Sequence, residues 1–117
     1  MSETSFRRGD AVVCSMQGDF GKPRPAIVVQ SDLFNPTHTT IVVCPMTSVL
    51  TGLGLFRVRI DASDLTGLRN DSEIMIDKVS AIEIDRVARK IGRLSSAQME
   101  LVDRALRLWL DLPPSMG

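Results

Sequence analysis

Two stretches decide how this chain folds: Lys22-Pro23-Arg24-Pro25-Ala26-Ile27-Val28-Val29 and Ile41-Val42-Val43-Cys44-Pro45-Met46-Thr47-Ser48. Each contains four consecutive apolar residues, most of them β-branched, which reads as a short strand buried on both faces. Ser31 to Thr40, with Asn35-Pro36 inside it, reads as the loop between them. If the two strands pair antiparallel and symmetrically about that loop, Val29 falls opposite Val42. The same register carried onward puts Arg24 opposite Thr47. A slip of one residue would send those two side chains to opposite faces.

Working outward, Ala11-Val12-Val13-Cys14 is a preceding apolar strand, and Met16 to Lys22 reads as a loop. Leu55 to Asp61 alternates, with Phe56, Val58 and Ile60 on one side and Arg57, Arg59 and Asp61 on the other, as in a half-buried strand. Gly67 to Ser72 is a turn. Ile74 with Ile76 marks a fifth strand, Ile82 with Ile84 a sixth, and Val87 to Ile91 a short seventh. Ser95 and Gln98 stand at capping-box spacing, with Leu94 and Met99 placed for a hydrophobic staple. The helix they open carries Leu101, Ala105, Leu108 and Leu112 at helical spacing, widened by Val102, Leu106 and Trp109. Pro113-Pro114 ends it. The expected fold is therefore mainly β, a small barrel of six or seven short strands, with one C-terminal α-helix over an open face or edge.

The 117 residues and their 44% apolar content suit a single domain, 1–117, with a core of its own. No apolar run approaches a membrane span, and Met1 to Arg8 lacks the apolar core of a signal peptide. Cys14 and Cys44 each sit in an apolar run, which fits two buried thiols in a reducing cytoplasm, although a disulfide between them is compatible with the sequence. The net charge of zero argues against a strongly basic nucleic-acid clamp but not against a local basic groove. Eleven of the fourteen cations are Arg, whose planar fork suits phosphate.

Arg24 lies between two prolines. Pro25 steers it toward extended angles and Pro23 fixes the backbone before it, so a guanidinium stands on a stiff stem at the mouth of a strand. Gly18 and Gly21 leave room beside it. The plainer reading is an exposed Arg at a strand entry. Thr47 and Ser48 follow the third strand with hydroxyls that could bond a phosphate oxygen or merely cap a turn. Asp77-Lys78 closes the fifth strand as a base or as a surface ion pair. His38, of a type that titrates near neutral pH, sits in a loop. The two cysteines and one histidine have no zinc-ligand spacing, and no phosphate-binding P-loop is present. Arg8-Gly9-Asp10 as an adhesion tripeptide and Asp19-Phe20-Gly21 as a kinase element both fail on context.

In order along the chain, Arg7-Arg8-Gly9-Asp10, Arg24-Pro25-Ala26-Ile27-Val28-Val29-Gln30-Ser31-Asp32, Val43-Cys44-Pro45-Met46-Thr47-Ser48, Gly67-Leu68, Asp71-Ser72, Ile91-Gly92-Arg93-Leu94-Ser95 and Val102-Asp103-Arg104-Ala105-Leu106 resemble the MazF/PemK toxins. The resemblance implies an SH3-like barrel, usually a homodimer. It implies a cytoplasmic, sequence-selective endoribonuclease that cuts single-stranded mRNA and is held in check by a MazE-like antitoxin. It places the family's catalytic pair on Arg24 and Thr47, the two residues that the hairpin register brings together. No cofactor and no metal are implied; the expected products are a 2′,3′-cyclic phosphate and a free 5′-OH. Lys22, Ser48, Arg57, Asp77 and Lys78 are the expected substrate-binding residues, and Asp77, His38 and Thr47 the candidates for proton transfer. Met75 stands where many members carry an Arg. The alternative on the same fold is a CcdB-like gyrase poison, which uses a Trp near its C-terminus. Trp109 is superficially similar, but its place in the apolar stripe favours core packing. A third reading is an inactive barrel that only binds RNA or a peptide.

Overall fold

The computed structural model describes residues 5–16, 18 and 21–114. The expected loop from Met16 to Lys22 lies partly outside them, because Gln17, Asp19 and Phe20 do. The elements run β1 (Asp10–Ser15), β2 (Pro23–Val28), β3 (Thr40–Thr47), β4 (Arg57–Ile60), β5 (Ser72–Met75), β6 (Ser80–Glu83), β7 (Val87–Arg93) and α1 (Ser96–Leu110). All strand pairs are antiparallel, in the order β4-β5-β3-β2-β1-β7, with β6 also paired to β3.

The central hairpin has the register read from the sequence. Ala26, Ile27 and Val28 face Pro45, Cys44 and Val43, and the Val29 amide donates to the Val42 carbonyl at 3.0 Å. As expected, both strands are buried on two sides. One face of the sheet contributes Ala11, Ile27, Cys44, Met46, Val58, Ile60, Ile74 and Ile76 to a large core completed by Val102 and Ala105 of α1. The other contributes Val12, Cys14, Ala26, Val28, Ile41, Val43 and Ile82 to a smaller one, beside which β6 leads through a short turn into β7. Burying this much β-branched surface is the main term favouring the fold. Cys44 and Cys14 lie in different cores and are not joined by a disulfide. Burial pushes the Cys44 thiol up to about 12, so it stays protonated and unreactive.

Some expectations needed correction. The fifth and sixth strands end earlier than read: Ile76–Lys78 and Ile84–Arg86 are single 3-10 turns. The isoleucine spacing could not distinguish the two, because Ile76 is buried in the turn as it would be in a strand. The seventh strand is longer, running to Arg93 along the whole of β1. The helix is capped as expected, with the Ser95 hydroxyl accepting from the Gln98 amide at 3.1 Å and the Gln98 side chain accepting from the Ser95 amide at 2.8 Å, an arrangement worth about 1 kcal/mol. It ends at Leu110 on a left-handed Asp111, before the prolines are reached.

The helix is also less embedded than its pattern suggested. Only Val102 and Ala105 are buried, while Leu101, Leu108 and Leu112 are exposed. Trp109 is not a core residue. It is 47% exposed and lies against Phe56 with ring centroids 5.8 Å apart. The stripe is wider than the surface that β4 and the Ile76–Lys78 turn offer it, so half of it faces outward. No helix of the described residues is long and apolar enough to cross a membrane.

Candidate functional site

The β2–β3 ladder stops at the pair Ala26↔Pro45. Pro25 and Pro45 have no backbone N–H to continue it, so the strands splay. Pro23, Arg24 and Pro25 stay paired to β1, and Met46 and Thr47 turn to pair with β5. The gap between the diverging strands is concave. Two hollows open there, one of about 370 Å³ and one of about 580 Å³, within the range of ligand sites. Among the described residues, Arg24 and Thr47 are the only ones that line both. The prolines that stiffen the Arg24 backbone therefore also create the space its guanidinium faces.

The smaller hollow adds Met16, Pro45, Met75, Lys78 and Ser80. The larger adds Lys22, Ser48, Arg69, Asn70, Ser72 and Arg89, among others. Five cations and no carboxylate line the two, among the described residues. A chain of zero net charge thus concentrates positive potential in one place, where low-dielectric walls strengthen it. Thr47 Oγ1 is oriented by accepting from the Val49 amide at 3.1 Å, which leaves its own proton available to a ligand.

Lys22, Ser48 and Lys78, expected at a substrate site, do line these hollows. Arg57 and Asp77 do not. They bond one another, Nε to Oδ1 at 2.9 Å, and Arg57 lines a separate apolar groove between β4 and α1. The reason is the early end of β5, whose 3-10 turn carries Asp77 toward β4 while Lys78 stays on the hollow side. His38 is also removed. It lies in the loop at the opposite end of the hairpin, edge-on to Phe34, about 13 Å or more along the strands from the splayed end at roughly 3.3 Å per residue. Of the three candidates for proton transfer, only Thr47 reaches the hollow.

Arg69, Asn70, Arg89 and Ser80 went unrecognised in the sequence. Arg89 had a detectable signal, as a charged residue within a strand that pairs beside the hairpin. Arg69 and Asn70 had none, because the fold of the 61–71 loop places them. That loop is clamped at both ends. Asp71 accepts from the Ala62 amide at 2.8 Å and from Arg59 at 3.0 Å, and the Ala62 bond first of all holds its carboxyl below the usual range. In the middle, Thr66 is fully buried and the Arg93 amide donates to the Leu65 carbonyl at 3.0 Å. The RGD tripeptide is structural: Asp10 accepts from the Arg7 amide and pairs with Lys90, while Arg8 bridges the Val29 carbonyl and Asp103 of the helix. Among the described residues no three His, Cys, Asp or Glu side chains group in a way that could hold a metal ion.

A splayed hairpin whose proline-flanked Arg24 shares two cation-lined hollows with Thr47, on a small barrel with a terminal helix, fits a class: small barrel toxins of the nuclease type. Residues 7–110 match the model of the PemK-like, MazF-like toxins of type II toxin–antitoxin systems. A probable endoribonuclease MazF of Mycolicibacterium smegmatis is 38% identical over 108 residues, spanning 92% of this chain and 98% of that protein. The Mycobacterium tuberculosis toxin MazF-mt6 superposes with a TM-score of 0.77 at 25% identity, covering 89% of this chain and 98% of its own. An endoribonuclease in complex with its cognate antitoxin, from a mycobacterial species, shares the fold with a TM-score of 0.79 at 20% identity, covering 94% and 99%. This chain belongs to the PemK/MazF toxin family. The gyrase-poison alternative is not favoured by these relatives, and the half-exposed Trp109 is one side chain of a broader apolar face.

Proposed function

We propose that this chain is the toxin of a type II toxin–antitoxin pair and a metal-independent, sequence-selective endoribonuclease. Single-stranded RNA would be cut where Arg24 and Thr47 meet. The single observation that carries this reading is that, among the described residues, those two alone line both hollows, so that a strand running from one to the other passes beside them. The 2′-OH attacks the adjacent phosphorus and the bond to the 5′-oxygen of the next nucleotide breaks. The attacking hydroxyl loses its proton and the departing oxygen gains one, leaving a 2′,3′-cyclic phosphate and a free 5′-OH. Arg24 stabilises the additional charge that the phosphorane carries only in the transition state. Thr47 holds a phosphate oxygen or relays a proton. Lys22, Lys78, Arg69 and Arg89 draw in the backbone phosphates on either side. The test is incubation of the purified protein with a long RNA in EDTA, followed by analysis of the ends. We expect cutting at a short recurring sequence with cyclic-phosphate and hydroxyl termini. Loss of cleavage on chelation, or 5′-phosphate products, would remove the metal-free mechanism, and uncut RNA would favour a barrel that only binds.

A MazE-like antitoxin is the proposed partner, presenting a disordered acidic segment that folds across the cations of the hollows and excludes RNA. The buried Cys14 and Cys44, which form no disulfide with each other, suit a reducing cytoplasm as the site of action. A homodimer is proposed on the uncovered helix face. Leu55, Leu101 and Leu108 line one groove of about 340 Å³ there, beside the Phe56–Trp109 pair. A second copy would bury the same face on both subunits, as a two-fold contact requires. Light scattering should show two copies for the wild type and one for Leu108→Glu. A monomeric wild type at micromolar concentration would exclude that assembly.

A further inference from the structure

Glu73 is the least expected side chain in the molecule. It is a carboxylate only 3% exposed, in the short strand β5, and the proposed cleavage chemistry does not use it. In the sheet it stands directly across from Thr47. Opposed residues of an antiparallel pair share a face, so Glu73 lies on the outer side of the sheet together with Thr47, Met75, Arg57 and Arg59. What buries it is the 48–54 loop, which leaves Thr47 and folds back over this face. One carboxylate oxygen accepts from the backbone amides of Thr51 at 2.9 Å and Gly52 at 2.8 Å, and the other accepts from the Thr51 hydroxyl at 2.8 Å. The Arg57 guanidinium stands 4.0 Å away. These bonds, that to the Gly52 amide foremost, hold the carboxyl below its usual range.

The loop has little else to fix its path. The short bonds within it are Val49 N–H to Thr47 Oγ1 and Leu53 N–H to Thr51 Oγ1, and its far end is tied by the Arg57 amide to the Leu53 carbonyl. Its near end is Thr47 and Ser48, with Val49 beside them on the wall of the larger hollow. The rotamer of Thr47 therefore depends on where Val49 lies, and Val49 is two residues from the carboxylate's grip.

We propose that Glu73 is a positioning residue for the cleavage site: by gripping Thr51 and Gly52 against the sheet it sets the path of the 48–54 loop and hence the aim of the Thr47 and Ser48 hydroxyls. This rests on the reading of Arg24 and Thr47 as the cleavage pair. Glu73 touches neither RNA nor the reacting atoms. Its effect falls on kcat, because a hydroxyl that wanders loses transition-state contacts while the cations that bind the backbone stay in place.

The test compares Glu73→Val, Glu73→Gln and Thr51→Val with the wild type, in steady-state cleavage of a short RNA containing a mapped cut site. Glu73→Val is expected to lower kcat at least tenfold with KM within about twofold, and to speed hydrogen exchange at the Thr51 and Gly52 amides. Glu73→Gln, which keeps an acceptor for both amides, should restore most of kcat. Thr51→Val, at an exposed position, should lower kcat severalfold without loss of the fold, and it decides the matter if Glu73→Val does not fold. Wild-type kcat in Glu73→Val, or in Thr51→Val where the other variant is unfolded, would overturn the proposal. So would a change confined to KM. If the wild type does not cut RNA at all, the nuclease reading itself fails. If the wild type cuts, Arg24→Ala does not, and Glu73→Val cuts normally, only the role of Glu73 fails.

Discussion

Arg24→Ala is expected to fold as the wild type does and to lose RNA cleavage by several hundred-fold or more. The fold should persist because Arg24 sits near the start of β2, outside the stretch where the β2–β3 ladder runs, and neither core includes it. The activity should go because a preorganised donor facing developing charge contributes about 3–4 kcal/mol to the barrier. Arg24→Lys should recover only part of the rate, since an ammonium keeps the charge without the planar fork. Circular dichroism and a thermal melt establish the fold, and single-turnover cleavage of a mapped RNA measures the rate. A fully active Arg24→Ala would show that the guanidinium has no part in the chemistry, and the proposed mechanism would fall with it.

The largest expected effect on stability comes from one methyl group on the 61–71 loop. Gly67 has φ of +72°, and a Cβ there would lie 2.0 Å from the carbonyl oxygen and 2.8 Å from the carbonyl carbon of Ile91. The left-handed conformation alone costs a non-glycine residue about 1–2 kcal/mol. The contact is worse, since both partners are backbone and β7 is held along its length by β1. Gly67→Ala should therefore cost about 3 kcal/mol or more and lower the melting temperature by on the order of 10–20 °C for a domain of this size. Because Arg69 and Asn70 follow two and three residues later and line the larger hollow, RNA cleavage should weaken even below the melting transition. Gly54→Ala is the control: a Cβ there meets nothing within 4 Å. A Gly67→Ala protein that melts within a degree or two of the wild type would contradict the packing of this loop on β7.

The parts of the fold that were legible in the sequence are those set by local rules. Four-residue apolar runs located β1, β2 and β3. The symmetric loop gave the β2–β3 register to the residue, because a slip would have turned a whole buried face outward. Ser95 and Gln98 marked the helix start through a hydrogen-bond pattern confined to four residues. That Arg24 and Thr47 share one end of the hairpin was legible for the same reason, although the strands splay before the two are paired and they meet only as walls of the same hollows.

The parts that were not legible depend on surfaces meeting across the chain. Arg57 and Asp77 carry suitable chemistry for phosphate and proton, yet the 3-10 turn after Met75 brings them to each other and away from the hollow. The outward half of the helix stripe could be recognised only once β4 and the turn beside it defined how much of α1 they cover. Arg69 and Asn70 acquire their places from the 61–71 loop, Arg89 from the pairing of β7 with β1, and Glu73 its burial from the 48–54 loop. The sequence alone determined the first three strands, the central register, the helix cap and the placing of Arg24 and Thr47 at one end of the hairpin, since each is decided by neighbours in the chain or by one hairpin. Only the tertiary structure decided which cations share the hollow, which carboxylates are tied up as partners and which apolar face is left uncovered. Those outcomes depend on the distances between segments far apart in sequence, which no local pattern encodes.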